Sequence, residues 1–335
     1  MIKPLLGAGL LVAATLGFAS SASAQAAGAS GTLIVLNKRA ATANIIDLAS
    51  QRTLATLPTG QGPHELVVSS DGRVAVAANY GGQSAGSSLT IIDVPALVVA
   101  RTIDLGRYTR PHGLAFLPGD SVLAVTSEST QSVALVHVAD GTIVGTIATD
   151  QGGSHMLAIV GDGSRIYTSN IQGNSVTELD VAARRPLRVL DVPPQPEAIT
   201  VTPAGDEVWV GSNALGTVSV LDAATGTIKG TIEGFAWPYR ILITPDRRLA
   251  IVPDLRQHAV RFVDAVTLEE VERLDLPAAG PQGVALSADG GTLYLSLSQE
   301  DRVAAIDLAT FEIVRYYGTG AGPDGVGVSP IVVSR

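Results

Sequence analysis

The segment Pro63-His64-Glu65-Leu66-Val67-Val68-Ser69-Ser70-Asp71-Gly72 returns, altered but recognisable, as Pro281-Gln282-Gly283-Val284-Ala285-Leu286-Ser287-Ala288-Asp289-Gly290. Both copies run through a Pro, a polar residue, a short apolar stretch and an Asp-Gly turn. Working outward, the polar position recurs at His64, His112, His155, Glu197, Tyr239, Gln282 and Asp324, at intervals of 48, 43, 42, 42, 43 and 42 residues. Within each interval a β-branched run ends at a polar residue, as in Val74-Ala75-Val76-Ala77-Ala78-Asn79. A third strand closes on an acid, as in Val218-Ser219-Val220-Leu221-Asp222, and a fourth follows a Thr-Gly turn at Ile228-Lys229-Gly230-Thr231-Ile232. A period in the low forties carrying four short strands predicts an all-β, seven-bladed β-propeller with four-stranded antiparallel blades. The last start, Asp324, precedes a single strand, and residues 31–58 carry three strands and lack the first. The C-terminal strand is therefore expected to complete the N-terminal sheet, closing the ring and removing its open edges.

Composition supports a folded, acidic chain. Of the 335 residues 46% are hydrophobic and 16% charged, which is far from the charge-rich, apolar-poor signature of disorder. The absence of Cys excludes a disulfide framework, a zinc-thiolate site, a thiol nucleophile and a Cys-x-x-Cys-His haem attachment within these residues. With 31 Asp+Glu against 22 Lys+Arg, the net charge of −9 argues against nucleic acid as a partner. Residues 1–24 read as a signal peptide: Lys3, an apolar run from Leu5 to Ala19, then Ala22-Ser23-Ala24 before Gln25. An uncleaved anchor is the alternative, although the run is shorter than the roughly 20 residues a spanning helix needs. Residues 25–30 read as a linker and 31–335 as one propeller domain. The expected product is a periplasmic or secreted monomer without a later membrane span.

The blades resemble those of the YVTN family of bacterial β-propellers, through Ile166-Tyr167-Thr168-Ser169-Asn170, Leu293-Tyr294-Leu295-Ser296 and Ile306-Asp307. This resemblance runs from Gly31 to Arg335 and implies the fold. A shorter likeness, in Pro63-His64-Glu65 and Asn79-Tyr80-Gly81, is to propeller lactonases of the 6-phosphogluconolactonase type, and implies hydrolytic chemistry at the tunnel mouth.

Residues common to all blades are architectural. The acid at Asp47, Asp93, Asp180, Asp222, Asp264 and Asp307, replaced once by His137, reads as a cap for turn amides. His258 reads as solvated, and Gly81–Ser88 as a flexible glycine-serine loop in a longer hairpin. Function is sought where blades differ. Since the first strand of a propeller blade lines the tunnel, the seven polar starts encircle one mouth. His64, His112 and His155 there are candidate ligands for a divalent metal ion, and equally polar lining bonded to water. At the following position Gly113, Ala198, Gly283 and Gly325 are small, whereas Glu65, Met156 and Arg240 are not. Glu65 and Arg240 are candidates for an acid or base and an anion-holding group, with a cross-tunnel salt bridge as the alternative. Glu197, Tyr239, Gln282 and Asp324, with Phe235 and Trp237 from the connection before Tyr239, are candidate ligand-binding residues. Two functions follow: a binding protein presenting this mouth to a small molecule or a periplasmic or extracellular protein, or a metal-assisted hydrolase or lyase acting there.

Overall fold

Short turns between apolar runs leave successive strands no choice but to pair as antiparallel neighbours. The computed structural model describes Met1 and residues 30–333, so the expected signal peptide, beyond Met1, lies outside the described residues. It contains seven four-stranded antiparallel sheets. In chain order, blade 2 consists of Pro63–Val68, Val74–Gly81, Ala85–Asp93 and Val98–Asp104, from the axis outward, and blades 3 to 7 span residues 111–148, 154–191, 196–232, 242–275 and 281–318. Blade 1 joins the first and last strands of the described residues. Pro323–Ser329 is its inner strand, paired with Thr32–Asn37 in the register Thr32↔Ser329 and Val35↔Val326, followed by Thr42–Asp47 and Thr53–Pro58. Thr32 Oγ1 donates to Ile331 O at 2.6 Å and Ser329 Oγ to Gly72 O at 2.7 Å, fastening the seam. Among the described residues no helix is long and apolar enough to cross a membrane.

The core is a ring of seven hydrophobic clusters, one at each junction between adjacent blades. The closing junction packs Leu33, Val35 and Ile46 of blade 1 on Tyr294, Val303 and Tyr317 of blade 7. Both faces of every sheet are thus covered, which is why second strands such as Thr32–Asn37 are buried along their whole length and lack strict polar alternation. Outer strands have no neighbour beyond them, and Glu270–Asp275 is mostly exposed.

The recurrent acids cap turns as expected: Asp93 accepts from the Ala96 amide at 2.9 Å and Asp222 from that of Thr225 at 2.7 Å. Where His137 replaces the acid, Asp140 accepts from Thr142 N at 2.9 Å and pairs with His137 at 3.0 Å. The Gly81–Ser88 segment forms the longer hairpin expected, the ladder continuing to the pair Gly81↔Ala85. One expectation needs correction. His258 is half-buried rather than solvated, its Nδ1 accepting from the Gly280 amide at 3.2 Å.

Candidate functional site

The polar starts converge because most inner strands are bulged where they stand. In blade 2, Pro63 pairs with Asn79 but Leu66 with Ala77, so His64 and Glu65 together oppose Ala78. The same shift occurs in blades 3, 4, 5 and 7. A bulge bends the strand and re-aims its side chains. It also frees backbone groups from the ladder, and hydroxyls of the second strands recover them. Thr126 Oγ1 accepts from Gly113 N at 2.8 Å and donates to His155 O of the next blade at 2.6 Å. Ser169 Oγ joins Met156 N to Glu197 O in the same way, at 3.3 and 2.7 Å. Neighbouring blades are so close here that a Cβ on Gly113 would lie 2.6 Å from Leu157 N, and one on Gly283 2.2 Å from Asp324 O.

Three polar networks fill the mouth. In the first, Asp324, which is 1% exposed, lies 2.6 Å from His64 Nδ1 and 3.2 Å from Lys38 Nζ, and accepts from the Tyr239 hydroxyl at 3.2 Å. Lys38 Nζ stands 3.1 Å from His64 Nε2, so both ring nitrogens of His64 are engaged. In the second, Arg240 forms an ion pair with Glu65 across the tunnel, lies 3.7 Å from Glu197 and donates to Tyr239 O at 2.5 Å. In the third, His155 Nδ1 meets Glu128 Oε1 at 2.5 Å while its Nε2 lies 3.7 Å from Glu197 Oε1. Glu128 also accepts from the Tyr80 hydroxyl at 2.9 Å, and Glu197 from the Trp237 indole at 3.0 Å and from Asn213.

His112 sits between these networks, fully buried, with ring centroids 4.3 Å from His64 and 3.7 Å from His155. Among the described residues its Nδ1 meets only the thioether of Met156, at 3.1 Å, and its Nε2 has no partner. The two buried imidazoles behave oppositely. Burial, reinforced by His155, His64 and Arg240, pushes His112 well below its ordinary value, keeping it neutral. Burial opposes the charge on His155 too, but pairing with the carboxylates of Glu128 and Glu197 prevails and raises it to about 9. Glu197 is held below the usual carboxylate range despite burial, by its pairing with His155 and the charge of Arg240.

The structure therefore sorts the expected site residues. His64, His112 and His155 are adjacent, but the candidate ligand sets are His64, Glu65 and His112, and separately His112, Glu128 and His155. The three histidines expected as metal ligands are thus shared between two mixed sets. Glu65 and Arg240 form the cross-tunnel salt bridge. Beneath it lies a cavity of about 240 Å³ that both line, together with Met156. Glu197, Tyr239 and Asp324 are buried in the networks, and Gln282 is half-buried on the ring. Trp237 is half-buried at the mouth, with the Arg256 guanidinium 4.3 Å from its ring centroid. Phe235 does not reach the mouth. It packs with Trp209, Val218 and Ile241 between blades 5 and 6, under Arg261 at 3.9 Å.

Lys38, Tyr80, Glu128 and Asn213 were not singled out as site residues by sequence. All four occupy one repeat position, directly after the last polar residue of the second strand (Asn37, Asn79, Ser127 and Ser212). That residue pairs with the Pro before each polar start, as in Pro111↔Ser127, so a second ring of side chains surrounds the first.

Asp324 gives a pH test. Burial raises its carboxyl, but His64 and Lys38 more than offset this and hold it below the usual range. A depressed folded-state value means stability that is present above the unfolded value, about 3.9, and lost as pH falls below it. In denaturant titrations at successive pH values, the advantage of wild type over Asp324→Asn is expected to shrink below about pH 4, by up to about 1.4 kcal/mol per pH unit. An advantage independent of pH between 5 and 2, on the order of the range where carboxylates titrate, would show that the charge is immaterial.

No protein-family model matches the chain. It is 32% identical over 149 residues to the uncharacterized protein YncE of Salmonella typhimurium, a match covering 43% of this chain and 41% of that protein. The corresponding protein of Salmonella typhi matches to the same extent. The match thus spans about two-fifths of the length of these curated relatives. Among solved structures, a functionally unknown protein from Desulfotomaculum acetoxidans superposes with a TM-score of 0.75 at 15% identity, covering 90% of this chain and 99% of its own. Hydrazine synthase of Kuenenia stuttgartiensis gives 0.69 at 19% identity, covering 80% and 90%. These likenesses establish the seven-bladed propeller and leave the activity to the chemistry of the mouth.

Proposed function

We propose that this chain is an exported binding protein that presents the tunnel mouth to a small polar ligand or to a partner protein of the periplasm or cell exterior. The observation that carries the reading is the Glu65–Arg240 ion pair. Its two side chains, 14% and 9% exposed, are spent on each other across the axis, so neither is a free acid, base or oxyanion holder. Around this plug stands a pre-organised rim of Lys38, Tyr80, Glu128, Asn213 and Trp237, suited to recognition because its hydrogen bonds are already made. Export rests on the sequence of residues 1–24, and the processed chain is expected to begin at Gln25 when its N-terminus is sequenced.

The test couples capture of ligands and partners from the envelope fraction with a screen for lactone and ester hydrolysis. A defined ligand or partner is expected to bind without turnover, and Trp237→Ala with Lys38→Ala to weaken it at least about tenfold, about 1.4 kcal/mol, with the fold intact. A second reading, a metal-assisted hydrolase or lyase of lactonase type, draws on the His112, Glu128 and His155 cluster. Turnover abolished by Glu128→Gln would replace the binding reading with that one.

A further inference from the structure

We propose that the mouth holds one divalent metal ion of the zinc class, ligated by His112, His155 and Glu128; this deepens the reading of the mouth as a binding site and rests on it. One ligand atom from each of the three residues lies within 4.8 Å of the other two. Independently, Nε2 of His112 is buried without a hydrogen-bond partner among the described residues. Buried polar atoms in folded proteins are nearly always bonded, and one that is not calls for a ligand. The other nitrogen of this fully buried imidazole meets a thioether, a weak partner.

The surroundings are those of a supported metal site. The Tyr80 hydroxyl fixes one oxygen of Glu128, at 2.9 Å, and leaves the other towards His155. Outer hydrogen bonds of this kind orient metal ligands. Glu197 lies on the other side of His155, 3.7 Å from Nε2, and adds negative charge. The alternative set of His64, Glu65 and His112 is unsuitable. His64 is already held between Asp324 and Lys38, and Glu65 is paired with Arg240, so an ion there would meet two fixed cations. Two imidazoles and a carboxylate without thiolate suit zinc first, with copper(II) and iron(II) as competitors. Three protein donors leave a coordination position for a ligand oxygen, and half-buried Tyr80 and Glu128 mark the side from which it would enter.

The experiment uses untagged protein prepared without chelator, its metal content measured by mass spectrometry. Calorimetric titration with zinc chloride follows, after dialysis against a chelator. One equivalent of zinc per chain is expected. Glu128→Gln, which preserves side-chain size, should weaken binding by more than the roughly 10–100-fold that an outer-shell change costs. His137→Gln, at the end of the third strand of blade 3, should leave binding unchanged. His112→Asn tests the unpartnered imidazole, and should His112→Asn fail to fold, Glu128→Gln still decides the matter. Absence of saturable binding, or binding that Glu128→Gln leaves intact, overturns the site. If zinc fails to bind while ligand or partner capture at the mouth persists, the metal site falls and the binding reading stands. Zinc binding without capture supports the site and counts against that reading.

Discussion

A chain ending at residue 319 is expected not to fold as a monomer. The deletion removes Pro323–Ser329, the inner strand of blade 1, together with its ladder to Thr32–Asn37 and the Asp324 carboxylate. It exposes the edge of a strand buried along its whole length, which is a template for intermolecular pairing. It also withdraws Val326 from the cluster that joins blade 1 to blade 7. Together these losses exceed the roughly 5–15 kcal/mol by which a folded domain is stable. Thermal unfolding by circular dichroism with size-exclusion chromatography should show a non-cooperative, aggregating species. A circular permutant beginning at Gly60, with residues 333 and 30 joined by a short linker, should melt as the parent does, because the seam brings Ile331 within 2.6 Å of Thr32. A truncated chain that remains monomeric and melts cooperatively would show that closure by this strand is dispensable.

Arg240→Ala carries the second large effect, a destabilisation of about 3–5 kcal/mol, because it leaves the Glu65 carboxylate, whose side chain is only 14% exposed, without its partner. Glu65→Leu should cost a similar amount for the converse reason. Arg240 is held charged more firmly than an ordinary arginine: burial opposes the charge, but Glu65, Tyr239 and Glu197 outweigh it. Removing either partner therefore leaves the other largely buried without its counter-charge. The double variant Glu65→Leu/Arg240→Met should recover most of the loss, since apolar residues of similar volume often substitute for a buried ion pair at little cost. Guanidinium titrations of the four proteins give the coupling directly. Single variants that each cost less than about 1 kcal/mol, as solvated surface pairs do, would remove the plug from this account of the tunnel.

What could be read in advance depended on whether the relevant information repeats along the chain. The recurring Pro-polar-apolar start announced strand count, blade number and ring closure, because a strand's partner is the next run, reached through a short turn. The seven polar starts gave the circle at the mouth for the same reason. Glu128 was missed because its partners, Tyr80 and His155, lie on the two flanking blades, at separations of 48 and 27 residues. Phe235 was misplaced because an aromatic residue in a connection reads alike whether it faces the mouth or an inter-blade cluster.

By itself, then, the sequence determined the all-β ring, its closure and which residues share each repeat position, since all of these follow from periodicity. The tertiary structure alone decided how the side chains pair. It joined Glu65 to Arg240 across the tunnel, engaged both nitrogens of His64, and left Nε2 of His112 unpartnered among the described residues. The physical reason is that each bulged strand start sets the aim of its side chains. The available partners then come from the curvature that brings separate blades together at the axis.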